Sequence, residues 1–489
     1  MVALSAGRIL LLAAVLPTPG SAEPRQPTPD GLSVGPTTAE ASRSPDPGQD
    51  FARHPATLPA ELGSPVRLRA ALSHGFYGRS EPDRLVAQVD LLGYADAPPE
   101  RLPLNLALVI DSSGSMAENE KFMHASQAAR LVVENLTERD VVSLIVFNER
   151  ATVLSPAGRA VNKEFLMRRL AEVGPQGWTN LSAGLLEGFA QISSQETEGR
   201  INQVILLTDG LANRGVTDPG GLRKLAEAAY QRGTRLSTLG CGSQFDEKLL
   251  AALAEAGGGR YTFVRSSEQL PGAMAAELGG LLEVVAQNVR VEVKASGATV
   301  ISRVYGRLIE RPVASYSFNL GDMRQGERSM LMLDITPERR DLGATAGALI
   351  RLTADDPKSG TRLAREIAME AAYAADAGQV EGSRNETVTL CAGVRDALEK
   401  SEEALLGLDA ERFHKTAELF DRLYERARRH ALETRDQELL NQAFLLKHFM
   451  GQLSAAREAG LLHTHSEARA RLKDIHYRRY LLEHHRDRP

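Results

Sequence analysis

Cysteine is nearly missing from this chain of 489 residues, which holds two, Cys241 and Cys391. A disulfide framework is therefore excluded, and one bridge between the pair is the most that oxidation could form. Neither cysteine stands beside a histidine or a second cysteine at metal-ligand spacing, so no zinc site of that kind is expected. Excess positive charge is lacking too. The formal net charge is −5, which leaves no overall basic field for nucleic acid, and no nucleic-acid module is recognisable. No G-x-G-x-x-G follows the first buried-strand pattern and no G-x-x-x-x-G-K-[ST] occurs there, which disfavours dinucleotide and P-loop sites. After the N-terminal region no uncharged apolar run reaches transmembrane length.

What is present has an ordinary globular balance, 43% hydrophobic and 25% charged, at a length that suits two to four domains. Residues 1–22 read as a secretory signal peptide. Arg8 and the amino group supply positive charge, residues 9–16 an apolar core, Pro17 a break, and Gly20-Ser21-Ala22 small residues for cleavage. Export to a periplasm, the cell envelope or the extracellular space is thus expected, and two cysteines do not contradict a bacterial periplasm. Residues 23–64 are rich in Pro, Ser, Thr, Asp and Gly, a mixture that buries too little surface to offset its ordering entropy; a flexible leader is expected.

Beyond it the hydrophobic period changes twice. Residues 65–101 hold two strand patterns, 66–70 and 85–91. From 102 to 285 short buried-strand runs (141–147, 204–207, 236–239, 260–264) alternate with amphipathic helices (121–136, 163–173, 181–193, 221–231, 247–256, 269–285). An edge strand is expected at 151–154, and Gly257-Gly258-Gly259 is expected to end a helix through left-handed conformations. Alternation of this kind predicts an α/β domain, doubly wound around a mostly parallel sheet. From 286 to 375 the period returns to two (Val289, Val291, Val293; Leu331, Leu333, Ile335; Ala348, Ile350, Leu352), predicting an antiparallel β-sandwich. The pair at 65–101 is too small to stand alone. It is expected to join that sandwich, which makes the α/β domain an insertion. Residues 388–489 form a helical region, with Phe413, Ala417, Phe420, Tyr424 and Ala427 on one face. Thr434 with Gln437 resembles a capping box before a helix at 438–458, and a third helix is expected at 466–485. These helices pack on the sandwich, on one another, or against a partner.

Chemistry concentrates at residues 104–116, LNLALVIDSSGSM. A continuous apolar run ends at Ile110, as for a strand buried on both faces, and Asp111, Ser113 and Ser115 follow at alternate positions. A carboxylate and two hydroxyls at the carboxyl end of such a strand lie where open α/β sheets bind ligands. Thr179, in Gly177-Trp178-Thr179-Asn180 before a helix, adds a hydroxyl, and Asp209 ends a second buried run. Hard oxygens without thiolate or imidazole suit Mg²⁺, with Mn²⁺ or Ca²⁺ as alternatives.

These three loops, in this order, resemble the metal-ion-dependent adhesion site of the von Willebrand factor A (VWA) family. The likeness runs from about residue 102 to 285 and has a match at every metal position. It implies that Asp111, Ser113, Ser115, Thr179 and Asp209 hold a divalent cation with a coordination place left for an acidic side chain of a protein partner. A non-enzymatic adhesion or assembly module is the expectation. The rival is a structural factor of the cell envelope in which metal only ties the loops together and a partner docks on the β or helical region.

An enzymatic reading has less behind it. Haloacid-dehalogenase-like phosphatases also place an aspartate after a buried strand, but carry a second carboxylate two residues on; here Ser113 stands there, and it cannot move that proton at neutral pH. Three Asn-x-[ST] tripeptides (Asn135, Asn180, Asn385) are of a kind common by chance. The late histidines (His463, His465, His476, His484, His485) read as a solvated helix and tail more readily than as a metal site. Trp178, the sole tryptophan, either rims the binding face or packs its loop.

Overall fold

After three N-terminal strands the chain enters Leu104–Asp111, the run that the rest is built on. The computed structural model describes residues 64–458, with breaks at 80–81, 96–100, 196–198, 243, 308 and 407–409, and further on Lys473, Tyr477, Tyr480 and Leu481. The expected signal peptide, the Pro-rich leader up to residue 63 and the five late histidines lie outside the described residues.

Strands β1 (Val66–Leu72), β2 (Phe76–Tyr77) and β3 (Leu85–Gly93) come first. The α/β domain then runs β4 (Leu104–Asp111), a 3-10 segment (Gly114–Glu120), α1 (Lys121–Asn135), β5 (Val141–Phe147), β6 (Ala151–Arg159), α2 (Lys163–Ala171) and α3 (Leu181–Ser193). It continues with β7 (Ile201–Thr208), α4 (Pro219–Gln231), β8 (Thr234–Cys241), α5 (Glu247–Ala256), β9 (Gly258–Val264) and α6 (Leu270–Leu282). The sheet order is β6-β5-β4-β7-β8-β9, with every pairing parallel except β5 with β6.

This order reverses at β4. The chain leaves β4 toward β5 on one side and returns to β7 on the other, which opens a crevice above the carboxyl end of β4. All eight residues of β4 are buried. Leu106, Leu108 and Ile110 face the core under α1 and α6, whereas Ala107 and Val109 face the core under α3, α4 and α5. Helix α3 approaches the sheet closely because it presents glycine there. A Cβ on Gly184 would meet the Phe147 ring at 2.8 Å, and one on Gly188 would meet Val109 at 2.8 Å. That contact seats the start of α3, and with it Thr179, against the ends of β4 and β5.

Strands β10 (Val284–Gly297), β11 (Thr299–Val304), β12 (Ser315–Arg324), β13 (Arg328–Pro337), β14 (Thr345–Asp355) and β15 (Arg362–Tyr373) follow. They build two sheets, β1-β3-β13-β11 and β12-β10-β14-β15-β2. The N-terminal strands find their partner across the inserted α/β domain, since β3 pairs antiparallel with β13. Both sheets share one core, with Val89, Leu91 and Leu333 opposite Val291, Ile350 and Leu352. Helices α7 (Ala377–Gly382), α8 (Glu386–Leu406), α9 (Ala410–Thr434) and α10 (Gln437–Glu458) complete the described chain. Residues of α8, α9 and α10 pack on one another and on Val86, Met330 and Met332 of the first sheet.

Several local readings change. The cap of α10 is Asp436, whose Oδ1 accepts from Leu439 N at 3.0 Å; Thr434 ends α9 and gives its hydroxyl to the His430 carbonyl. Gly258 alone of the glycine triplet takes positive φ (62°), and it opens β9 instead of only closing α5. The edge strand β6 is longer than the apolar run at 151–154. Most of the expected helix at 466–485 lies outside the described residues. Of its described residues, Tyr477 and Tyr480 set their rings edge-on to Tyr261, at 5.6 and 5.3 Å.

Candidate metal centre

Three loops meet above β4. The first leaves the sheet at Asp111, whose side chain is fully buried. Asp111 Oδ1 accepts from Ser113 N at 2.8 Å and Oδ2 from the Thr208 hydroxyl at 2.5 Å. Ser113, in extended backbone conformation, sets its hydroxyl 3.2 Å from that of Ser115. The Ser115 hydroxyl in turn donates to Asp209 Oδ1 at 2.7 Å. Four of the five residues singled out in the sequence are thus linked by consecutive hydrogen bonds, the first of them through the Ser113 amide.

Thr179 enters from the second loop, which is laced to both of its neighbours. Gln176 N donates to the Ser112 carbonyl and Gly114 N to that of Gly177. Thr179 N donates to Asn213 Oδ1 at 2.8 Å, and the Thr179 carbonyl accepts from Asn213 N. At Gly210 a side chain would intrude. A methyl group there would meet the Thr179 hydroxyl at 3.3 Å and the Ser115 hydroxyl at 3.6 Å. The missing side chain leaves the space on which these oxygens converge.

Burial pushes the Asp111 carboxyl up to about 6, and the neighbouring Asp209 adds to the rise; the hydrogen bonds from Thr208 and Ser113 oppose it. A carboxylate held this way is kept ionised at neutral pH at a cost, and a cation would relieve that cost. The donors are two carboxylates and three hydroxyls, with no thiolate or imidazole. No group of three or more His, Cys, Asp or Glu that could hold a metal exists among the described residues, so any cation here depends on the hydroxyls. Hard oxygens of mixed charge fit Mg²⁺, Mn²⁺ or Ca²⁺.

Two participants escaped the sequence reading. Thr208 bonds Asp111 directly, yet in sequence it is one more β-branched residue of a buried strand. Lys121 reads as the first residue of an amphipathic helix, but it is 7% exposed and its Nζ lies 2.6 Å from Asp209 Oδ2. Trp178 is 52% exposed, with the Arg214 guanidinium 4.9 Å from its ring centre. Both cysteines are free and buried. No described helix is long and apolar enough to cross a membrane.

Comparison with known proteins matches the α/β unit to a family. Residues 105–276 match the model of the von Willebrand factor type A domain. The uncharacterized protein YfbK of Escherichia coli (strain K12) is 26% identical over 287 residues, covering 57% of this chain and 49% of that protein. Human inter-alpha-trypsin inhibitor heavy chain H4 is 28% identical over 223 residues, covering 42% of this chain and 24% of that one. The chain therefore spans about half or less of these relatives. Among solved structures, a von Willebrand factor type A protein from Catenulispora acidiphila superposes with a TM-score of 0.59 at 16% identity, over 79% of this chain and 88% of that one. The ArnB paralog VWA2 from Sulfolobus acidocaldarius gives 0.54 at 15% identity, over 85% and 98%. At such identities these two speak for the fold alone. The α/β unit inserted between β3 and β10 is a von Willebrand factor type A domain, carried here with antiparallel sheets and C-terminal helices.

Proposed function

We propose that this chain is a non-enzymatic, exported protein-binding module that engages its partner through a divalent cation held by Asp111, Ser113, Ser115, Thr179 and Asp209. The observation that carries the reading is the convergence of two carboxylates and three hydroxyls from three loops at the switch point of the sheet. Mg²⁺ is the ion of choice for such a set, with Mn²⁺ or Ca²⁺ as substitutes. Five protein residues leave a six-coordinate ion a place to fill, and with the Lys121 ammonium paired to Asp209 the loaded centre carries a net charge of +1. A carboxylate of a partner protein fills the place and neutralises that charge. Within this scheme Asp111 gives charge, Thr208 and the Ser113 amide orient it, and the three hydroxyls complete the set. The N-terminal pattern of residues 1–22 supports export, with the folded part acting in the periplasm, the envelope or outside the cell.

The test is capture of binding proteins by the full mature chain in Mg²⁺, in EDTA, and with Asp111→Ala in Mg²⁺. Retention that needs both metal and Asp111 supports the reading; retention under all three conditions refutes it. A second reading draws on Leu419, Leu432 and Phe444, which stand exposed on α9 and α10. In it the chain is an assembly factor of the envelope whose partner docks on those helices, with metal serving only the loops. Loss of the partner on Leu419→Ser with Phe444→Ser, and not on Asp111→Ala, favours this alternative.

A further inference from the structure

The two carboxylates at the centre have unlike partners. Asp111 is held by neutral donors, the Ser113 amide and the Thr208 hydroxyl. Asp209 takes the Ser115 hydroxyl on one oxygen and the Lys121 ammonium on the other. Lys121 leaves the first residue of α1, and its stem passes Gly242, where an added methyl would lie 3.8 Å from Cε. The ammonium also donates to the Ser115 carbonyl at 3.3 Å and faces the Glu118 carboxylate at 3.8 Å. Burial leaves it little freedom to withdraw. A buried ammonium must be paired, and the fully buried Asp209 carboxylate is its close partner.

From this arrangement we infer that Lys121 is a positioning residue that keeps Asp209 from binding the cation directly. The inference rests on the cation reading given above. The two central carboxylates and the ammonium sum to a net charge of −1, and of those two carboxylates only Asp209 is paired with the ammonium. A divalent ion that took Asp209 as a direct ligand would share that carboxylate with the ammonium, and like charges would be forced together in a poorly solvated place. The ion is instead drawn to Asp111, and Asp209 reaches it through water or through the Ser115 hydroxyl. One more coordination place stays with exchangeable water, and the ion keeps more of its charge for a partner's carboxylate. Lys121 thus exchanges metal affinity for ligand-binding power.

The experiment compares the full mature chain with Lys121→Met and Lys121→Arg. Mg²⁺ affinity is read by titration calorimetry, and the waters on bound Mn²⁺ are counted by water-proton relaxation. Lys121→Met is expected to bind Mg²⁺ about tenfold more tightly or better, the size of effect a removed like charge has on a neighbouring site. Its Mn²⁺ should carry one water fewer, while Lys121→Arg keeps the wild-type values. A merely structural lysine would give weaker binding and no change in hydration; that result overturns the inference, as does Lys121→Met matching wild type. If the Met variant does not fold in EDTA, Lys121→Gln is measured in its place. Wild type that binds neither Mg²⁺ nor Mn²⁺ overturns the cation reading itself, a failure distinct from that of Lys121.

Discussion

Replacing Asp111 by Asn should stabilise the metal-free protein at neutral pH while removing its response to metal. The Asp111 carboxyl is raised from 3.8 to about 6 by burial. Well below pH 3.8 the group is protonated in both folded and unfolded chains and contributes nothing. As pH rises through the interval from 3.8 to 6 the unfolded chain releases the proton first, so stability falls; above 6 the penalty is constant. A shift of about two units is worth roughly 3 kcal/mol, which is an upper bound for the gain on substitution. Asn keeps the shape and can still accept from the Ser113 amide, while the Thr208 hydroxyl can turn to accept from the new NH₂. We expect urea unfolding in EDTA to show Asp111→Asn more stable than wild type by about 1–3 kcal/mol at pH 7, and the gap to close most of the way by about pH 4. With Mg²⁺ at about a hundred times its dissociation constant, wild type should gain about 2.7 kcal/mol and the variant nothing. A variant less stable than wild type at pH 7, or a gap that does not depend on pH, would refute the reasoning.

Other outcomes follow from the same contacts. Gly210→Ala places a methyl group against the Thr179 and Ser115 hydroxyls; Mg²⁺ binding should weaken at least about tenfold while the melting temperature in EDTA moves by only a few degrees. Mg²⁺ should change the intrinsic tryptophan emission, since the single indole, Trp178, adjoins Thr179; an unchanged spectrum in wild type would separate the second loop from the ion. At the junction with the sandwich, Glu277 of α6 pairs with Arg324 of β12 at 3.2 Å, both nearly out of water. Glu277→Ala should cost about 3–5 kcal/mol by stranding the guanidinium, and Glu277→Leu combined with Arg324→Met should restore most of it, as read by urea unfolding.

The five oxygen residues were legible because each follows or precedes a strongly patterned element: Asp111 and Asp209 close buried apolar runs, and Thr179 lies just before an amphipathic helix. The α/β layout and the sandwich were legible for the same reason, as the periods of 3.6 and two are local properties. What escaped depends on contacts distant in sequence. Lys121 meets Asp209, 88 positions away, and at the head of a helix it has the look of any solvated lysine. Glu277 is likewise one acidic residue within a helix until Arg324 arrives. Strand β15 carries Arg365, Glu366 and Glu370 outward, which breaks its alternation, and β14 supplies the partner that makes it a strand.

The most direct measurement is calorimetric titration of the full mature chain with Mg²⁺, beside Asp111→Ala. The account predicts one saturable site in wild type and none in the variant. No binding in wild type, or equal binding in both, would contradict it.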